Sequence, residues 1–205
     1  MALLTESEAE QVSHLIQEVE QHTDAELVVV LARQADNYFY IPTLWAALIA
    51  LVSPGIIMMF PFWLEVADVL FVQLVVFLSV AVLLRTPGLM HLLIPGSVKR
   101  WRAENLARRM FLENNLHHTV GETGVLIFVS EAEHYVEIIA DRGINDRVEG
   151  GAWASMVDNL TRSIRQGKRV EGFCGVVQAC GDLLKDHVPK TQDKNELPNH
   201  LIILD

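Results

Sequence analysis

Asp36, Asp141, Asn145 and Asp146 are the residues of this 205-residue chain whose types and spacing could do chemistry. Asp36 falls just beyond one β-branched run, and Asp141 closes another, inside Ala-Asp-Arg-Gly-Ile-Asn-Asp. Loops at strand ends are where carboxylates converge on a hard cation. Asp141, Asp146 and Asp36 are therefore the candidate metal ligands, with calcium or magnesium as the ion. Arg142 or Arg147 could supply a positive group to hold a phosphate beside those acids, though nothing orders them into a recognisable signature. The run lacks the alternating EF-hand loop and its terminal Glu, and Asp, Asn and Gly also favour turns and helix caps. Gly143 is expected to provide a positive φ after the strand.

Other polar residues carry less chemistry. His117 and His118 are adjacent on a helix and point about 100° apart, with no third ligand at suitable spacing. His134 falls in a hairpin turn, where exposure is the default. No nucleophile elbow, phosphate-binding loop or dinucleotide glycine pattern occurs. Cys174 and Cys180 lie on different faces of one helix and are expected as free core thiols.

The elements that must position these residues divide the chain. Leu44 to Phe60 and Val66 to Leu84 are apolar runs without Lys or Arg, each about long enough to cross a hydrocarbon core. Only a short tip separates them, so they form an inserted two-helix transmembrane hairpin spanning 41–85. Phe62 and Trp63 at the tip, and Tyr38, Tyr40 and Trp45 at the other end, match interfacial aromatic belts. Pro54-Gly55 is expected to kink the first span. Asp68, in the first turn of the second, suits a helix N-terminus near the interface. Ala46, Ala47, Ala50 and Gly55 are small enough to support self-association.

Arg33 precedes the hairpin, and Arg85, Lys99, Arg100 and Arg102 follow it, a bias that places both ends in the cytoplasm. The start has no basic segment followed by an apolar stretch and cleavage site, so it is expected unprocessed. The expected location is the bacterial inner membrane, multi-pass, with the soluble domain cytoplasmic. Thr86 to Gly96 should lie at the membrane surface. Lys99, Arg100 and Arg102, on a helix from about Val98 to His117, should meet anionic lipid at about 1 kcal/mol each. A formal net charge of −10 argues against nucleic acid as a partner.

Residues 1–40 and 86–188 make the soluble domain, and 189–205 a tail. Thr5 and Glu8 have capping-box spacing ahead of Val12, Leu15, Ile16 and Val19 at helical period. Glu26 to Ala32 reads as a strand buried on both faces. Thr123–Ser130 and Tyr135–Asp141 read as an antiparallel hairpin. Helices follow at about Ala152–Arg165 and Val170–His187, broken at Gly167, and Leu201–Leu204 either adds an edge strand or stays loose. The first strand has no partner before the insertion, so it joins the later pair. The fold class is α/β (α+β), a small mixed β-sheet flanked by helices.

The runs TDAELVVVLA and TGVLIFVSEAEHYVEIIADRGI, followed by a helix pair ahead of HVP, resemble the TPM domain. That family is named for thylakoid lumen and photosystem-repair proteins and occurs in many bacterial membrane proteins. The resemblance covers about residues 5 to 188 without the insertion. It departs at Thr23-Asp24, where many relatives have Thr-Gly, and in having an inserted hairpin where many have a single anchor. It implies a mixed α/β sandwich, and members connected with acid phosphatase activity, calcium binding or modulation of membrane complexes. The function expected here is a non-enzymatic scaffold or accessory factor for a membrane protein complex, with the lipid bilayer and a membrane or cytoplasmic protein as partners. The alternative is a divalent-metal-dependent, acid-phosphatase-like hydrolase using the strand-end aspartates.

Overall fold

The computed structural model describes residues 4–61, 65–191 and 201–204. Two compact units result, one made of Met1–Ala35 with Arg100–Asp205 and the other of Asp36–Lys99.

In the first unit, α1 (Glu6–Glu20) starts at a capping box: the Thr5 hydroxyl accepts from the Glu8 amide, and the Glu8 carboxylate accepts from the Thr5 amide at 2.7 Å. β1 (Glu26–Ala32) is buried at every position, as a strand covered on both faces must be. β2 (Gly124–Ser130) runs parallel to it, Glu26 opposite Gly124 and Ala32 opposite Ser130. β3 (Tyr135–Ala140) returns antiparallel along β2 through the turn at 131–134, in which His134 takes φ 51°. β4 (Leu201–Leu204) joins the free edge of β1 in parallel, so the order is β3-β2-β1-β4 and β1 is central. The tail therefore adds an edge strand.

The sheet separates two apolar layers through the alternation of its side chains. Leu27, Val29 and Leu31 of β1 face a core with Val12, Ile16, Leu160, Phe173, Val177 and Leu184. Those partners come from α1, α7 (Gly150–Arg165) and α8 (Arg169–His187). Val28, Val30 and Ala32 meet Ala103, Leu106, Ala107, Met110 and Phe111 of α5 (Gly96–Glu113). Gly167 between α7 and α8 takes φ +77°, which ends the helix where the break was expected. Cys180 is buried and Cys174 half-buried, both as free thiols.

The second unit contains α2 (Tyr40–Ile57), α3 (Val66–Leu84) and α4 (Pro87–Leu93). α2 starts and ends earlier than Leu44–Phe60. Tyr38 does not join an interfacial belt: it is 1% exposed and packs with Ile41, Met90 and Ile94, drawing the helix start back toward it. Phe62 and Trp63 lie outside the described residues. Ala46, Ala50 and Ser53 form the stripe that α2 buries within its own unit, whereas Ala47 and Gly55 remain exposed. Asp68 accepts from the Glu65 amide at 3.1 Å, an N-terminal cap rather than an isolated acid. Both α2 and α3 are long and apolar enough to cross a membrane. Their large side chains are open to the surroundings, with Leu51 68%, Val66 77% and Val82 71% exposed.

The stretch 86–96 holds a helix that hydropathy alone did not announce, because Pro87 is tolerated in a first helical turn. α5 ends at Glu113, short of His117, and Asn115 turns into the left-handed region ahead of a 3-10 turn at Leu116–His118.

Candidate functional site

Asp141 continues the ladder beyond β3, its amide donating to the Gly124 carbonyl at 2.8 Å. Its side chain caps a four-residue helix, α6 (Arg142–Asn145), with the Arg142 amide donating to Oδ1 at 2.8 Å. Oδ2 is buried and has no hydrogen-bond partner among the described residues. Asp146, at the far end of α6, is exposed and lies 3.7 Å from Arg142 Nε. Arg147 Nη1 donates to the carbonyl of His187 at 3.1 Å, so the two arginines offered as phosphate holders serve α6 and the end of α8.

Gly143 does not take a positive φ; it lies inside α6. A Cβ there would sit 2.1 Å from the Gly121 carbonyl oxygen and 2.7 Å from that of Glu122. The glycine is required because two backbones touch, not because of a turn.

Asp36 does not join this corner. Gly124, against which Asp141 is tied, pairs with Glu26 at the start of β1, and β1 then runs away from it for seven residues, about 20 Å. At the far end the Ala35 amide donates to both carboxylate oxygens of Glu133, each at 3.1 Å, in the turn between β2 and β3. Asp36 follows immediately, and its Oδ1 accepts from the Asn37 amide at 2.7 Å. Parallel pairing of β1 with β2 thus separates Asp36 from Asp141 and Asp146. Among the described residues no three His, Cys, Asp or Glu side chains gather closely enough to hold a metal ion. Asp141 and Asp146 stand at the two ends of the short α6, and the buried Oδ2 of Asp141 would supply one of the six or more oxygens that calcium takes.

Of the basic residues, Arg100 is exposed, and Lys99 and Arg102 are half-buried. The Arg102 guanidinium lies 4.9 Å from the centroid of the exposed Trp101 ring.

The perturbed acids are elsewhere. Burial pushes Glu20 up to about 8, against a hydrogen bond from the Leu27 amide at 2.9 Å; Glu26 adds repulsion and Lys190 opposes it. Burial also raises Glu137, which accepts from the Tyr135 hydroxyl at 3.0 Å, and raises Tyr135 in turn. Strand alternation in YVEIIA puts Tyr135, Glu137 and Ile139 on one face, so Glu137 was findable. Nothing in the α1 pattern marks Glu20, because a helix-terminal acid is ordinarily solvated.

The family model of the TPM domain aligns with a stretch running through α5, β2, β3, α6 and α7 into α8. Residues 91–183 match the TPM domain family. α1, β1 and the helices α2 and α3 lie outside that match. The fold is similar to that of the BA42 protein from the psychrophilic bacterium Bizionia argentinensis, solved by NMR, with a TM-score of 0.61 at 18% identity over 98% of this chain and 96% of that one. That likeness bears out the mixed α/β architecture. No curated protein matches.

Proposed function

We propose that this chain is a membrane-anchored TPM-like domain acting as a non-enzymatic scaffold or accessory factor for a membrane protein complex. One observation carries this reading: α2 and α3 expose Leu51, Val66, Leu70, Phe71 and Val82 along helices with no basic residue, inserted into the chain between β1 and α5. Contiguous apolar surface on that scale marks a membrane or protein contact, and the helix lengths suit a bilayer. The excess of Lys and Arg outside the spans supports an inner-membrane, multi-pass arrangement with both termini cytoplasmic. Lys99, Arg100 and Arg102 then serve at the membrane surface. Crosslinking of intact membranes should capture a specific partner protein, with capture undiminished by Asp141→Asn. Capture of no protein from membranes carrying the intact chain contradicts the scaffold.

A second reading is favoured by the buried, unpaired Oδ2 of Asp141 and by the matching family model's being named for a phosphatase. Here Asp141 holds calcium or magnesium with ligands other than Asp36. Titrating either cation into the intact chain and into Asp141→Asn, following melting temperature, separates the readings. A saturable rise that the substitution abolishes supports the metal.

A further inference from the structure

A cleft of about 400 Å³ opens at the end of the sheet where β2 turns into β3, walled by α7 and the start of α8. Its size lies within the range of small-ligand sites. Val136 and Ile164 give it an apolar wall, and Arg165, Arg169, Glu131 and His134 give it charge and donors. Arg169 Nη2 donates to Glu131 Oε1 at 2.8 Å, which neutralises both and holds that guanidinium in place. Arg165 has no hydrogen-bond or ion-pair partner among the described residues. Thr161 precedes it by four positions and therefore shares its helix face. Arg169 is balanced by Glu131 and also interacts electrostatically with Glu8 of α1, so Arg165 is the one guanidinium of the lining with no acid paired to it among the described residues.

We propose that this cleft binds a monoanionic carboxylate on a short apolar stem, the carboxylate on Arg165 and the stem against Val136 and Ile164. Guanidinium and carboxylate match in planar, two-point geometry. One unpaired guanidinium matches one negative charge. A phosphate near a full double charge would meet Glu131 unbalanced, so the charge count selects carboxylate over phosphate. The site is independent of both Asp141 and the apolar helices.

The test is titration of the intact chain with 3-methylbutanoate, following the amide signals of Ser130, His134 and Ile164. Saturable shifts are expected at millimolar concentration, as suits an open, solvated ion pair. 3-Methylbutanamide should not saturate, and inorganic phosphate should bind no tighter than the acid. Arg165→Gln, at an exposed position where folding is not at stake, should weaken binding about tenfold, the worth of one charge-assisted hydrogen bond. Arg162→Gln, one helical step away and outside the cleft, should leave it unchanged. Equal binding of the amide, tighter binding of phosphate, no saturation, or an unaffected Arg165→Gln each overturns the proposal. A tetrapeptide ending in leucine, with free and with amidated C-terminus, separates a peptide source from a free acid: the free terminus binding at least as tightly as 3-methylbutanoate assigns the site to peptide ends.

Discussion

The α-carbon of Gly143 faces the carbonyl oxygen of Gly121 so closely that a methyl group on it would lie 2.1 Å away. The contact clamps α6, and with it the capping carboxylate of Asp141, onto the loop before β2. Both neighbours are backbone, so neither can swing aside. Gly143→Ala should therefore cost roughly 2–3 kcal/mol as strain, read as a lowered melting temperature, whereas Gly151→Ala, where nothing lies within 4 Å, should be harmless.

Glu20 makes stability depend on pH in an unusual direction for an acid. Its folded value, about 8, stands above the ordinary 4.5, so the folded protein keeps a proton that the unfolded chain has lost. Stability is then highest at low pH with respect to this group and falls as pH rises from about 4.5 to about 8. Glu20→Gln retains a carbonyl acceptor for the Leu27 amide and removes the charge. Melting curves across that window should flatten in the variant, with its advantage greatest at and above pH 8.

β4 protects the central strand with only four residues. Ending the chain after Thr191 removes the bond from the Arg33 amide to the Leu204 carbonyl, 2.8 Å long, and strips Ile202 and Leu204 from the layer beside α5. The loss should be about 1 kcal/mol for each of the four side chains. Hydrogen exchange at the Arg33 amide should accelerate, while β2 amides paired to β3 change little. An open β1 edge should also make the shortened chain more prone to self-association.

Much of this architecture is legible in the residues. The run ELVVVLA gives β1 at Glu26–Ala32, because β-branched side chains bounded by Thr23-Asp24 and Arg33 leave little alternative. Thr5 and Glu8 mark the start of α1 as surely, and the uninterrupted apolar run gives α3 its bounds. Strand direction is another matter. Whether β1 pairs parallel or antiparallel with β2 depends on how the chain returns through α5, which periodicity does not encode, and that direction separates Asp36 from Asp141. The need for Gly143 likewise arises from a loop twenty-odd residues earlier in the chain. α6 is too short to carry a periodic signal, and Glu20 is buried by the folded arrangement that brings the Leu27 amide and Lys190 to it, which the α1 pattern does not encode.

The central claim is that α2 and α3 hold this domain at a bilayer. Alkaline carbonate extraction of membranes from cells expressing the intact chain, alongside a variant lacking residues 40–84, tests it most directly. The account predicts that the intact chain stays in the membrane pellet and the shortened chain moves to the supernatant. An intact chain released by carbonate would contradict it, and would assign the exposed apolar faces of α2 and α3 to a protein contact instead.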